Sequence, residues 1–166
     1  MSGAVAYIAL GANIGEPVRQ IEAAFAALAT LPATRLIARS SLYRSAPVGY
    51  ADQPDIINAV AAIETALHPH ALLDALLAIE RAHGRVREFP NAPRTLDLDI
   101  VLYGDVVLHE PGLTVPHARM LERAFVMLPL AEIAPDAVVP GRGRVRDLAA
   151  PMDRAAIAQL QRMPAS

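Results

Sequence analysis

Residues 95–103 read TLDLDIVLY, which is the clearest strand pattern in the chain. The even positions from Leu96 to Leu102 are all apolar, and Asp97 and Asp99 alternate with them. Because successive side chains of a strand point to opposite faces, the pattern predicts a strand whose apolar face packs on a core and whose two carboxylates share the other face. This strand anchors the fold prediction, and its acidic pair is a candidate site.

The segments before this strand predict further strands and two helices. In order they are strand, helix, strand, strand and helix, at residues 4–10, 17–31, 34–43, 57–66 and 69–83. Pro17 and Pro69 are suited to the first turn of a helix, and Gly84 is suited to a C-cap. Together with the strand at 95–103, this order predicts the α+β class with a ferredoxin-like βαββαβ core.

The C-terminal part predicts additional helices and strands. Helices are expected at residues 120–128 and 155–163, with a turn at 140–144 between them. The sequence has neither an internal repeat nor a low-complexity linker, so we expect one domain that covers residues 1–166.

Composition excludes several kinds of chemistry. All 15 basic residues among the 166 are arginine, and cysteine is absent. A lysine Schiff base, a thiol nucleophile, a cysteine zinc site and a P-loop lysine are therefore excluded. A compositional bias that replaces lysine by arginine also explains the missing lysine, but the exclusions hold in either case.

Charge and hydropathy predict the surroundings of the protein. The net charge of -2 gives no overall electrostatic attraction to nucleic acid or to an anionic membrane. No apolar run has the length of a transmembrane helix, and Met1-Ser2-Gly3-Ala4 does not resemble the start of a secretory signal. We expect a cytoplasmic protein.

Asp97 and Asp99 are the first candidate site. Two carboxylates on one strand face repel each other and need water or cations in compensation. Hard cations such as Mg²⁺ take oxygen ligands and leave room for substrate phosphates, so the pair is suited to bridge metal and nucleotide. The alternative is a solvated strand face with two ordinary acids. The rarity of aspartate in strands favours a site.

Arginines cluster just before this strand. Arg81, Arg85, Arg87 and Arg94 fall within 14 residues. Guanidinium groups hold phosphate oxygens in a bidentate manner, so the cluster is suited to a polyphosphate, although a solvated basic turn remains the alternative. His117, after Pro116, is suited either to a phosphate or base contact or to a structural hydrogen bond.

Several motifs follow one another along the chain. They begin with Gly11-Ala12-Asn13, Tyr43-Arg44-Ser45 and Asp52-Gln53-Pro54-Asp55, and they continue with Asn58, Gly84-Arg85-Val86-Arg87, Arg94-Thr95-Leu96-Asp97-Leu98-Asp99 and Leu113-Thr114-Val115-Pro116-His117. Together these motifs resemble the 6-hydroxymethyl-7,8-dihydropterin pyrophosphokinase family of folate biosynthesis. The resemblance covers residues from about 5 to about 140.

The resemblance implies an ATP-dependent diphosphotransferase. ATP would be the co-substrate, pyrophosphate would pass to the hydroxymethyl group of the pterin, and AMP would leave. Two Mg²⁺ ions would lie on Asp97 and Asp99. The small-molecule substrates would be ATP and 6-hydroxymethyl-7,8-dihydropterin, with no nucleic acid and no membrane involved.

The resemblance also assigns roles to individual residues. The catalytic residues would be Arg85, Arg94, Asp97 and Asp99. The pterin would contact Pro47, Val48, Asn58 and Phe125, while Ile56 stands where family members often have an aromatic residue. ATP would contact Glu80, Arg87, Arg94, Ile100, Leu113, Thr114, His117 and Arg123.

Two questions stay open at the level of sequence. Either one of the aspartates accepts the proton of the substrate hydroxyl, or a bound metal ion acidifies that hydroxyl. The competing function is a non-catalytic ferredoxin-like module that binds a nucleotide or another small ligand, although such a module needs no paired acids beside an arginine loop. We expect a monomer.

Overall fold

The central strand of the fold is an apolar run with small residues. The computed structural model describes residues 3–46, 53–84, 96–154 and 157–159. β1 (Ala4–Ala12) lies between β4 (Ile56–Thr65) and β5 (Asp97–Tyr103), and it pairs with both in antiparallel register. Because it has neighbours on both edges, its backbone N–H and C=O groups are taken up by the sheet.

Two further strands extend the sheet beyond β4. β2 (Thr34–Arg39) and β3 (Tyr43–Ser45) both pair with β4, and β10 (Ile157–Gln159) pairs with β3. The order across the sheet is β10-β3-β4-β1-β5, with β2 beside the other end of β4, and every pairing is antiparallel. The prediction of a mixed fold of helices and sheet is confirmed.

The helices cover the two faces of this sheet. On one face lie α1 (Pro17–Ala29) and α2 (Pro69–Ala82), and on the other face lies α3 (Ala124–Ile133) with α4 (Val145–Ala149) beside it. The remaining short elements are a 3-10 turn (Met120–Glu122), β6 (Leu108–Glu110), β7 (Leu113–Val115), β8 (Val138–Val139) and β9 (Gly143–Arg144). In the described ranges no helix is long and apolar enough to cross a bilayer.

The spacing of apolar residues correctly predicted the first two helices. Phe25 and Leu28 of α1 and Leu72 and Leu76 of α2 are buried in one cluster against the sheet. Gly84 follows α2 with a φ of +78°, a left-handed conformation that favours glycine, and its N–H donates to Arg81 O at 3.0 Å. The predicted C-cap is therefore confirmed.

The predicted strand at 34–43 is interrupted. The structure places β2 and β3 on either side of residues 40–42. At the interruption Ser40 N donates to Val60 O at 2.8 Å, and Val60 N donates to the Ser40 hydroxyl oxygen at 2.9 Å. A side-chain oxygen thus replaces a backbone acceptor there, which a hydrophobic pattern does not reveal.

One residue of the acidic strand lies on the unexpected face. Leu98 and Ile100 face α1 and α2 as predicted, but Leu102 packs with Val101 in the cluster beneath α3. The register between β1 and β5 shifts between Tyr7 and Ile8, so β5 has one extra residue at that point. Such a bulge reverses the alternation beyond it.

Two helix predictions near the C-terminus need correction. Residues 157–159 form β10, because the free edge of β3 supplies their hydrogen-bond partners, whereas a helix was predicted at 155–163. The helix predicted at 120–128 is a 3-10 turn followed by α3. Arg123 separates them with an extended backbone (φ −113°, ψ 124°) and caps α3, since Met127 N donates to Arg123 O at 2.9 Å.

The buried face of α2 gives a stability prediction. Leu76→Ala should lower the free energy of unfolding by about 2–5 kcal/mol, because the fully buried side chain leaves a cavity. Leu73→Ala is the matched control on the same helix, since Leu73 is only half-buried. Urea denaturation measures both, and an equal loss in the two variants would contradict the packing described.

Candidate functional site

Polar residues of β4 and β5 flank small residues of β1 in a row on the sheet face that carries α3. Gly11 of β1 is paired with Asn58 of β4 on one side and with Asp97 of β5 on the other. Directly paired residues of antiparallel strands point to the same face. Ala9 is paired with Asp99 in the same way, two positions along β1. Both predicted metal-binding carboxylates therefore lie on one face, each half-buried.

A cleft of about 390 Å³ opens beside β5. It brings together five residues predicted to bind nucleotide or metal, namely Asp99, Ile100, Leu113, Thr114 and His117. The strand β7 brings Leu113 and Thr114 to the cleft, and His117 follows it, held to β5 because its N–H donates to Val101 O at 3.1 Å. Asp99 and His117, which are 18 positions apart in sequence, thus share one wall of the cleft.

His117 is held in its neutral form. Met120 N donates to His117 Nδ1 at 3.2 Å, so the proton of the neutral ring belongs on Nε2. Burial lowers the pKa of His117 below its usual value of 6.5, and the positive charge of Arg123 lowers it further. The negative charge of Asp97 acts in the opposite direction. Near neutral pH His117 is therefore a hydrogen-bond donor without a positive charge.

Arg123 and Phe125 meet at the start of α3. The guanidinium carbon of Arg123 lies 5.6 Å from the centroid of the Phe125 ring, within cation–π range. Arg123 was predicted to bind ATP and Phe125 to stack on the pterin. Neither of them is among the described residues that line the cleft. Arg123 nevertheless acts on the cleft, because its positive charge lowers the pKa of His117.

Asn58 is buried on the far side of β1 from the cleft. Its side chain is 3% exposed. Asn58 Nδ2 donates to the Ser45 hydroxyl oxygen at 2.7 Å and to Ile56 O at 3.2 Å. These two hydrogen bonds fix the orientation of the amide, and the pterin contact that the family resemblance implies for Asn58 stays a prediction.

Glu80, predicted to contact ATP, belongs to the helix that packs against β5. It lies on the buried face of α2 and is 1% exposed. Its carboxylate accepts a hydrogen bond from Leu98 N at 2.8 Å, which ties α2 to the strand that carries Asp97 and Asp99. Glu80 is not among the described residues that line the cleft.

Some predicted site residues lie outside the described residues. They are Pro47, Val48, Arg85, Arg87 and Arg94. Their predicted roles in pterin binding, ATP binding and catalysis remain sequence-based predictions.

The cleft also contains two residues that sequence patterns did not indicate as ligands. Leu73 lies one position beyond the buried stripe of α2, and Arg119 lies two positions after His117. Gly112 and Ala118 complete the lining. The only sequence signal for Leu73 is its place beside the apolar stripe of α2. The only signal for Arg119 is that it lies close to His117.

Comparison with known proteins places these features in a family. Residues 7–135 match the family model described as 7,8-dihydro-6-hydroxymethylpterin-pyrophosphokinase (HPPK). The chain is 54% identical over 144 residues to a 2-amino-4-hydroxy-6-hydroxymethyldihydropteridine pyrophosphokinase of Pseudomonas aeruginosa. The aligned region covers 87% of this chain and 89% of the relative. The chain is 50% identical over 143 residues to the protein of that name in Haemophilus influenzae, with 86% and 89% covered.

Solved structures resemble the chain in fold. One is Plasmodium falciparum HPPK-DHPS with pterin and p-hydroxybenzoate, which has a TM-score of 0.69 at 15% identity. The match covers 90% of this chain and 43% of that longer chain.

The environment of His117 gives a pH prediction. Its pKa, followed by the NMR signals of the imidazole C–H groups, should lie below 6.5 and should rise in Arg123→Gln, because one positive charge is removed. In the unmodified protein, His117 binds a proton more readily in the unfolded chain than in the folded one. The free energy of unfolding should therefore fall as the pH drops from 6.5 through the folded-state pKa of His117.

The matched control is Arg146→Gln, because Arg146 pairs with Asp136 instead. It should leave the pKa of His117 unchanged. A pKa of His117 at or above 6.5 in the unmodified protein would contradict the described environment.

Proposed function

Because the chain belongs to the 7,8-dihydro-6-hydroxymethylpterin-pyrophosphokinase family, we propose that it transfers pyrophosphate from ATP to the hydroxymethyl group of 6-hydroxymethyl-7,8-dihydropterin in folate biosynthesis. The substrate hydroxyl oxygen forms a bond to the β-phosphorus of ATP. The bond between the β-phosphorus and the oxygen bridging it to the α-phosphorus breaks, and AMP leaves with that oxygen. The hydroxyl proton is released.

The observation that carries this proposal is the shared face of β1, β4 and β5. The nucleotide side is the cleft that contains Asp99, Thr114 and His117, and the pterin side contains Asn58. Asp97 lies between them in the row through Gly11. Two substrates bound at these places would meet at the carboxylates, as transfer between them requires.

Asp97 and Asp99 fit a magnesium site whose remaining ligands are substrate phosphates and water. Carboxylate oxygens are the ligands that Mg²⁺ prefers, and Mg²⁺ commonly binds one or two carboxylates together with substrate phosphates and water. Within the described ranges no group of three or more acidic, histidine or cysteine side chains forms a complete protein cage. When bound, Mg²⁺ would neutralise charge on the phosphate oxygens. The proposal includes two such ions.

The other side chains bind, orient and neutralise. Neutral His117 would donate from Nε2 to a nucleotide oxygen or nitrogen without adding charge. Phe125 would stack on the pterin ring. Arg85, Arg87 and Arg94 would hold the phosphate oxygens in a bidentate manner and stabilise the charge that develops during transfer.

We further propose that the core is ferredoxin-like and that residues 1–166 form one monomeric domain that works in the cytoplasm. Across the sheet, β5, β1, β4 and the β2–β3 segment follow one another, and α1 and α2 both pack on one face. This arrangement supports the ferredoxin-like description.

The reaction gives a direct test. Incubation with Mg²⁺, ATP and the hydroxymethyl pterin should release AMP in proportion to the pterin consumed, because the β-phosphorus is attacked. Separation of nucleotides by ion-exchange chromatography measures AMP and ADP. Release of ADP, or turnover that does not depend on pterin, would refute the proposed reaction.

The carboxylates give a second test. Asp97→Asn and Asp99→Asn should each lower kcat by more than the roughly 100-fold that loss of an outer partner of a metal site costs. Pterin binding, measured by calorimetry, should change less than kcat. Asp105→Asn, at an exposed position after β5, is the matched control and should leave kcat unchanged. Full activity of both site variants would contradict a role of the carboxylates in the reaction.

A further inference from the structure

The side-chain oxygen of Asn58 is a buried acceptor without a donor in the described residues. Asn58 Nδ2 faces Ile56 O, and because a carbonyl oxygen only accepts, the orientation of the amide is fixed. Asn58 Oδ1 is therefore on the other side of the amide, where no donor from the described ranges reaches it. A buried acceptor left unsatisfied costs stability, so a ligand N–H that reached it would gain a strong hydrogen bond.

The residue beside this oxygen is Gly11. A Cβ atom on Gly11 would lie 3.7 Å from Asn58 Oδ1 and 3.5 Å from Ile56 Cγ2. These are ordinary van der Waals distances, so the described residues around Gly11 leave room for an alanine. The φ angle of Gly11 is outside the left-handed region, so its backbone does not require glycine either. Glycine weakens a strand, and the packing of the residues that the structure describes does not explain it here.

Gly11 also lies between the two groups that the proposed reaction must connect. It is paired with Asn58 on one side and with Asp97 on the other. Neighbouring strands are about 4.8 Å apart, so Asn58 and Asp97 are separated by about 10 Å. That span suits a bicyclic ring that carries a one-carbon arm, with its polar edge at Asn58 and its hydroxymethyl group towards Asp97.

We propose that Gly11 is a specificity-determining residue for the pterin, because its missing side chain lets the ring edge reach Asn58 Oδ1. This inference rests on the proposed function. A methyl group at position 11 would stand in front of the amide oxygen, hold the ring away from it and displace the hydroxymethyl group. The nucleotide cleft lies on the other side of β5, so ATP binding would be unaffected.

The test is Gly11→Ala, examined by pterin binding and by turnover. Calorimetric titration with the hydroxymethyl pterin, in the presence of Mg²⁺ and a non-hydrolysable ATP analogue, should give a Kd about tenfold higher than for the unmodified protein, the cost of one buried hydrogen bond. The KM for pterin should rise in parallel, while the KM for ATP and the melting temperature should stay unchanged.

Ala12→Gly is the matched control. Ala12 is the next residue of β1, and its methyl group is buried in the cluster on the opposite face. Removing this methyl should lower the melting temperature and leave the Kd for pterin unchanged. The two variants together thus distinguish a change in pterin affinity from a change in the stability of β1.

Three outcomes would overturn the inference. They are an unchanged Kd for pterin in Gly11→Ala, an equal rise in the KM values for pterin and ATP, and loss of folding, which would mean that the strand itself requires glycine. Failure of the proposed function is distinguishable, because it would be seen as absence of AMP release by the unmodified protein, whereas pterin binding is measured without turnover.

Discussion

The antiparallel pairing of β1 with both β4 and β5 is the constraint from which the site follows. Each hydrogen-bonded register fixes which side chains stand opposite each other, so Gly11 places Asn58 and Asp97 in one row. A shift of either register by one residue would turn these side chains to the opposite face. The buried apolar residues of β1, such as Ile8, hold the register because they fill the core beneath α1 and α2.

The second requirement is that α3 lies on the site face at a fixed position. Glu132 near its end accepts hydrogen bonds from Ser41 N at 3.0 Å, from the Ser41 hydroxyl at 2.7 Å and from the Tyr43 hydroxyl at 2.5 Å. Burial and the neighbouring Glu132 raise the pKa of Tyr43 well above its usual value, so the phenol keeps its proton as a donor. Phe125 lies about two turns earlier on the same helix, and the anchored carboxylate therefore helps to position it.

The electrostatics of the site suit a chain without lysine. Negative charge comes from Asp97 and Asp99, and positive charge comes only from guanidinium groups, which bind phosphate oxygens with fixed geometry. His117 between them stays neutral because it is partly buried and close to Arg123. The site thus contains charges of both signs without any lysine. The composition of the chain is therefore compatible with the chemistry.

Local patterns determined much of this protein. The stripes of α1 and α2, the C-cap at Gly84 and the alternation that put Asp97 and Asp99 on one face are short-range properties of the backbone, and they were correctly predicted. Tertiary structure alone decided that residues 157–159 pair with β3, that a bulge turns Leu102 to the other face, and that Glu80 supports β5 from below. These depend on partners far away in sequence, whose hydrogen bonds and packing outweigh local preference.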